Sequence, residues 1–314
     1  MVPKYILFID NGVVDPKRRG GSTTYYAEIG KRLQEKFGCR ILLITSANGE
    51  QCVRELGFEP EFYLTDFKVR TCRRLVSILI VYLWRTFNAI RIVRKLSKDK
   101  IMAAVSTSDF TYDVLPLLFC KCKRVLILHM EAPNPVFGYT RAFRKNKKGS
   151  WVNSSWLYYF SQRVSLRLFR KYGDLLFVLP SVAGSSVLGN FTPDRIRITL
   201  NGVDLSVIEK IPCNSKKYDA CWLGRYHPQK GIDDRIEIWQ AVTSQYKGAT
   251  LIMMGGLPHT LARIVKARGM EKNIILKGYV TEFEKYRIMK ESKLFLFPSY
   301  YESFPITILE AAAC

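Results

Sequence analysis

The sequence predicts an α/β protein made of two doubly wound halves, each with a parallel sheet, and three observations predict it. Short β-branched or aliphatic runs alternate with amphipathic segments from Tyr5 to Leu179. A polar stretch around Pro212 to Lys217 interrupts that alternation, and a second round of it starts at Asp219. In both halves a glycine-bearing loop stands directly between a strand and the helix after it. Strands that alternate with helices are joined by crossovers, and crossovers make parallel sheets. At 314 residues the chain is long for one core, so two domains are expected: 1–198, an interdomain segment 199–217, and 218–314.

Taken in order, Tyr5 to Ile9 reads as a strand, Gly20-Gly21 as the turn that opens a helix through Phe37, and Arg40 to Thr45 as the next strand. Ile101 to Ser106, Arg124 to Leu128 and Asp174 to Leu179 are further strands. Arg195 to Asp204 carries the turn signal Asn201-Gly202. In the second half, strands are expected at Asp219 to Leu223, Thr250 to Met254, Asn273 to Leu276 and Lys293 to Phe297. Helices are expected near Ile232 to Thr243, Pro258 to Arg268 and Glu282 to Glu291.

Composition narrows the partners. Lysine and arginine outnumber acids 49 to 27, a formal charge of +22, which favours anionic partners. Nucleic acid is not the expected one, because no reading module is evident and the aromatics cluster with aliphatics. Met1 to Ile9 lacks the charged leader and cleavage site of a signal peptide, so a cytosolic location is expected. The longest apolar run, roughly Leu75 to Trp84, is about half of the ~20 residues that span a bilayer, so no membrane-crossing helix is expected. The eight cysteines show no C-x-x-C spacing and read as mostly buried, reduced thiols.

On a helical wheel, Arg73 to Ser97 places Leu75, Ile78, Leu79, Leu83, Ile90, Val93 and Leu96 on a face suited to the core. The opposite face mixes Ile80, Trp84 and Phe87 with Arg91, Arg94 and Lys95. A second stretch, Arg141 to Lys171, brackets Trp151, Trp156 and Tyr158 to Phe160 with arginines and lysines. Either segment alone reads equally well as a packed aromatic core with solvated cations. Together they point to an anionic membrane surface on the cytosolic side, touched peripherally.

Three motifs carry chemistry. Gly20-Gly21-Ser22-Thr23 opens a helix, where glycine lets the backbone approach a phosphate and free amides attract an anion; a plain tight turn has the same composition. Gly224-Arg225 through Lys230-Gly231 follows a strand and precedes a helix, so two cations can meet a diphosphate there, although a solvated basic loop is the commoner use of such a pair. Pro298 to Ala312 ends a strand in a loop holding Glu302, then opens a helix at Pro305 that carries Glu310 about 7 to 8 Å along its axis. Two carboxylates so placed can grip opposite ends of one nucleotide-sugar, the alternative being a solvated loop acid at Glu302 and a helix-surface acid at Glu310.

These residues resemble the retaining family 4 glycosyltransferases, which have the GT-B fold. The resemblance runs from Gly20 to Cys314, is patchy between Gln51 and Phe119, and is strongest from Thr199 onward. It rests on Asn201-Gly202-Val203-Asp204, Gly224-Arg225, Lys230-Gly231, Gly255-Gly256 and Pro298-Ser299, with Glu302 and Glu310 spaced like the family's paired glutamates. It implies two Rossmann-like domains with a cleft between them and a nucleotide-sugar donor, UDP- or GDP-linked. Arg225 and Lys230, with Gly20 and Gly21, would hold the diphosphate. Glu310 would bond the ribose, while Glu302, Ser303 and Phe304 would hold the donor sugar. His129 matches a histidine that faces the transferred sugar, and apart from the resemblance it reads equally as a structural residue. The catalytic pair implied is His129 and Glu302, and the acceptor is a carbohydrate or a lipid-linked one.

No Asp-x-Asp occurs, so neither metal nor other cofactor is expected and the cations must be side chains. The family transfers with retention, the donor phosphate helping to deprotonate the acceptor, and no separate base is implied. It normally continues past the Glu310 helix with a glycine and an apolar strand; the chain ends at Cys314, so the second domain is expected to be incomplete, with an apolar sheet edge. Two rival classes stand beside this reading: a nucleotide-sugar epimerase of similar fold, and a non-catalytic, degenerate glycosyltransferase.

Overall fold

The structure is a computed structural model that describes residues 4–13, 21–66, 68, 75–96, 101–132, 150–213, 215–257 and 259–314, without the side chains of 75, 150–155, 228, 232 and 233. The described residues up to Leu200 form one compact unit, and Asn201–Cys314 form a second.

In the first unit, strands β1 (Tyr5–Asp10), β2 (Arg40–Thr45), β3 (Glu61–Leu64), β4 (Ile101–Ser106), β5 (Lys123–Leu128), β6 (Leu175–Val178) and β7 (Ile196–Ile198) form a seven-stranded sheet in the order β3-β2-β1-β4-β5-β6-β7. Every pairing is parallel. Side chains alternate between faces along each strand. Ile6, Phe8, Ile41 and Leu43 therefore pack in one core with Tyr25 and Tyr26 of α1 (Gly21–Phe37) and Val53 of α2 (Ala47–Arg54). Leu7, Ile9, Leu42 and Ile44 face a second core with Ala89 and Val93 of α3 (Leu75–Lys95), Val114 and Leu117 of α4 (Thr111–Leu117), and Leu166 and Phe169 of α5 (Ser150–Tyr172). Covering both faces is why the central strands read as continuous apolar runs. The strand order reverses between β1 and β4, so the loops after those strands diverge and leave room at the sheet's carboxyl edge.

In the second unit the elements are α6 (Leu205–Glu209), β8 (Tyr218–Leu223), α7 (Ile232–Gln245), β9 (Leu251–Met254), α8 (His259–Ala267), β10 (Ile274–Gly278), α9 (Glu282–Lys290), β11 (Ser292–Phe295) and α10 (Ile306–Ala312). Their four-stranded parallel sheet has the order β10-β9-β8-β11. Trp222 and Met253 pack on one side with Ile236 and Trp239 of α7, and Cys221, Ile252 and Met254 on the other with Ile288 of α9. Ile208 and Ile211 join the latter core, so within the stretch read as an interdomain segment these two side chains are anchored in this unit. Strand β11 lies at a sheet edge, with Leu294 exposed.

Two expectations about α3 need correction. Leu79 and Leu83, placed on the core face by the helical wheel, are exposed, and among the described residues of α3 none before Arg85 is buried. Only its later turns reach the core, through Arg85, Ala89 and Val93. Counting an unbroken apolar run also understated the helix: an 18-residue stretch within Val76–Lys95 has a mean hydropathy of 1.5, with 17% of it buried, so the helix is long and apolar enough to cross a membrane by length and composition only. Of the second basic and aromatic stretch, Arg141 to Lys148 and the Trp151 side chain lie outside the described residues.

Candidate functional site

In the second unit the β8 strand ends at Leu223 and the chain turns through Gly224 to His227 into a single 3-10 turn, Pro228–Lys230, before α7. Gly231 caps α7 at φ 59°, where a side chain is strained, and a Cβ there would meet the Pro298 carbonyl oxygen at 2.1 Å. The loop after β8 and the loop after β11 are thus pressed backbone to backbone. Further bonds tie them: the Tyr300 amide donates to the Gln229 carbonyl at 2.8 Å, and the Gln229 side-chain amide donates to the Tyr301 carbonyl. Gly255 brings the loop after β9 to the same place, at φ 109° and with room for no Cβ beside the Gly224 carbonyl.

Within this junction Lys230 Nζ lies 2.5 Å from Glu302 Oε1, both side chains being mostly withdrawn from solvent. Arg225 is exposed at the rim. His227, between them in sequence, has its pKa pushed down to about 4, first by burial and then by the charges of Arg225 and Lys230. The Asn201 side-chain amide donates to the Phe304 carbonyl, and the half-buried Ser303 lies beside it in the same loop. The Asn201 Oδ1 and Ser299 Oγ atoms are buried with no protein partner. Buried polar atoms are rarely left so unless a ligand or water serves them.

Pro305 is the N-cap of α10 rather than its first helical residue. Glu310, 8% exposed, faces α9, where its Oε1 accepts from Lys285 Nζ at 2.7 Å and from Tyr286 Oη at 3.2 Å. The Tyr286 phenol is held protonated, by burial first and by the Glu310 charge second. Glu302 and Glu310 thus stand at two cation-paired centres that share no partner. Sequence reasoning missed Lys285, Tyr286 and Gln229, since each acts through a residue 24 to 72 positions away. His227, like Gln229, lies inside the Gly224 to Gly231 motif and Asn201 inside another, and none of the three was given a role.

In the first unit His129 follows β5, and its Nε2 donates to the Thr107 carbonyl at 2.9 Å. A carbonyl can only accept, so Nε2 carries the proton and Nδ1 is left as the acceptor in the neutral ring. Burial pushes its pKa down, opposed by the Thr107 contact, so the ring is neutral at pH 7. Tyr25 of α1 stands edge-on to it at 5.5 Å, and Tyr25 Oη is 2.7 Å from Thr199 Oγ1. Gly21 opens α1, whereas Gly20 lies outside the described residues. A buried polar network holds the neighbouring loops: Asp113 accepts from the Asn11 amide at 2.6 Å, and Gln162 bridges Asp109, Met130 and Ala132. Burial pushes the Asp109 carboxyl up to about 6.

Residues 206–314, which hold both cation-paired centres, match the family model described as Glycosyl transferases group 1. This segment is a group 1 glycosyltransferase domain. The chain is 22% identical over 246 residues to an uncharacterised glycosyltransferase of Methanocaldococcus jannaschii, covering 72% of this chain and 56% of that protein. It is 34% identical over 96 residues to the alpha-galactosylglucosyldiacylglycerol synthase of Streptococcus pneumoniae, covering 29% of this chain and 25% of the relative. The chain thus spans about half, or less, of the length of these curated relatives. Among solved structures, a variant of S. aureus TarM in complex with Fondaparinux, alpha-GlcNAc-glycerol and UDP aligns with a TM-score of 0.69 at 13% identity, covering 99% of this chain and 84% of that one. That likeness, with the two parallel sheets, gives the fold as GT-B. In the group 1 domain the loops after β8, β9 and β11 meet at the carboxyl ends of parallel strands, the general location of ligand sites in such sheets.

Proposed function

We propose that the chain transfers a sugar from a nucleoside diphosphate sugar, UDP- or GDP-linked, to a hydroxyl of a carbohydrate or lipid-linked acceptor, with retention and without a metal. The observation that carries this is the Lys230–Glu302 pair at 2.5 Å, set with Arg225 at the junction of three strand-end loops. A leaving diphosphate gains charge as the C1–O bond breaks, and fixed cations in a partly desolvated site stabilise that charge more than water does. Lys230 and Arg225 take that role. Glu302 is assigned to donor sugar hydroxyls, with Ser303 and Phe304 beside it. Glu310, steadied by Lys285 and Tyr286, is assigned to the ribose.

His129 offers a hydroxyl of the transferred sugar a neutral ring with Nδ1 as acceptor. The acceptor oxygen forms its bond to C1 on the face the phosphate leaves, and its proton passes to the departing phosphate oxygen, so no separate base is needed. Work at the cytosolic face of a membrane suits the basic first unit and is part of the same reading. The test is a thermal-shift screen against UDP, GDP and ADP, with and without sugars. Stabilisation by one nucleotide that Glu310→Ala abolishes supports the reading. Silence towards all of them overturns it, and epimerised sugar nucleotide formed without acceptor would favour an epimerase.

A further inference from the structure

The apolar residues of α3 and α5 that no other described residue covers share one arrangement. Both helices pack on the same face of the first unit's sheet, on either side of α4. Both cross over between parallel strands, so both run antiparallel to the strands and parallel to each other. Their first turns therefore stand at the carboxyl edge of the sheet, the edge that bears His129. By the rise per residue α3 is about 31 Å long and six-residue β5 about 20 Å, so the helix outreaches the sheet.

Burial follows that mismatch. No described residue of α3 before Arg85, nor of α5 before Gln162, is buried. The uncovered turns carry Val76, Ile80, Leu83 at 73% exposure, Trp84 and Phe87 on α3, and Trp156, Leu157 and Phe160 on α5. Further along, both stripes turn basic, with Arg91, Arg94 and Lys95 exposed on α3 and Arg167, Arg170 and Lys171 exposed on α5. The helix dipole favours cations in the last turn, but it does not account for two sets of bare aromatic and aliphatic side chains at one edge. Contiguous exposed apolar surface marks an interaction site.

We propose that α3 and α5 together form a docking face for an anionic phospholipid bilayer, with the apolar first turns inserted at the headgroup boundary and the basic turns lying against lipid phosphates. Charge decides the occupant: exposed cations on both helices, in a chain of net charge +22, fit an anionic surface and disfavour a second copy of the same face. The face does not cross the membrane, because Arg85, Ala89 and Val93 bind α3 into the unit's core. The inference deepens the membrane part of the proposed function by naming the surface that would serve it.

The test is cosedimentation of the full chain with vesicles of phosphatidylcholine alone and of phosphatidylcholine and phosphatidylglycerol in equal amounts, at low and high salt. Binding to the anionic vesicles that weakens with salt is expected. Leu83→Gln/Trp84→Gln/Phe87→Gln should leave the protein in the supernatant. Arg91→Gln/Arg94→Gln/Lys95→Gln should lower vesicle affinity roughly a hundredfold, at about fivefold per cation. Both variants should keep the thermal shift with whichever nucleoside diphosphate stabilises the wild type, which separates failure of this proposal from failure of the donor site. Wild-type protein that ignores anionic vesicles at low salt, or variants that bind them as well as wild type, overturns the proposal. A concentration-dependent dimer dissolved by the apolar substitutions, without vesicle binding, overturns it in favour of a second copy.

Discussion

Replacing Lys230 by glutamine removes the cation that holds Glu302 at 2.5 Å. The two side chains are 16% and 18% exposed, so their pairing lies well above the 0 to ~1 kcal/mol of a solvated surface pair and near the ~1.5–3 kcal/mol of a hydrogen bond to a charged group. If the same ammonium meets the donor diphosphate, its loss should raise the Kd for the bare nucleoside diphosphate by roughly 10- to 150-fold, measured by calorimetric titration. Glu302→Gln should behave differently. It releases Lys230 without removing any contact to the phosphates, so affinity for the bare nucleotide should hold or improve while affinity for the sugar nucleotide falls. In denaturant titrations the two substitutions should couple by about 1–3 kcal/mol, because either one alone leaves a half-buried charge unpaired. A folded Lys230→Gln protein that binds the nucleoside diphosphate like wild type refutes the assignment, and a loss of bare nucleotide affinity in Glu302→Gln refutes the division of roles.

Glu310→Ala should weaken the sugar nucleotide and the bare nucleotide alike, and should lower stability by about 1–3 kcal/mol because it removes the acceptor that Lys285 and Tyr286 share, leaving Lys285 only the longer contact to Glu282 at 3.7 Å; a defect confined to the sugar nucleotide contradicts the ribose role. His227 should stay neutral down to about pH 4 in a histidine NMR titration, and an anionic nucleotide should move that pKa upward by cancelling the field of Arg225 and Lys230. Because its folded pKa is lowered, its contribution to stability is complete above the ordinary 6.5 and is lost as pH falls from there towards about 4; this contribution should vanish from the difference between wild type and His227→Gln. Asp109 runs the other way, its raised pKa of about 6 making the fold relatively more stable as pH falls from there towards 3.8, and Asp109→Asn should remove that trend. Gly231→Ala should cost roughly 1–3 kcal/mol from backbone strain alone, plus the clash with the Pro298 carbonyl, and should abolish the nucleotide thermal shift; an unchanged shift and melting temperature would show that the two loops need not touch.

Much of the architecture was legible locally. The strands Arg40 to Thr45 and Ile101 to Ser106 carry their bounds in their own residues, because a strand covered on both faces must be apolar throughout. Glu61–Leu64 and Ile196–Ile198 were missed, since a short strand at or near a sheet edge is partly solvated and leaves no run to detect. The helix Ala47–Arg54 was missed as well: Asn48-Gly49 reads as a turn, and the helix start depends on Ser46 accepting from the Gly49 amide at 3.1 Å.

For the site, the motifs alone determined the residue types and their order: Arg225, Lys230 and Gly231 after one strand, and Glu302 and Glu310 after another. That is possible because a strand end followed by a helix start is a local event, written in a few neighbouring residues. Only the tertiary structure decided that Lys230 meets Glu302, that Lys285 and Tyr286 hold Glu310, and that His227 sits in the field of two cations. It also decided which apolar stripe of α3 is covered. Periodicity shows that a helix has an apolar face, but whether each turn of that face finds a partner depends on how far the sheet beneath it reaches, and that length is set by other parts of the chain.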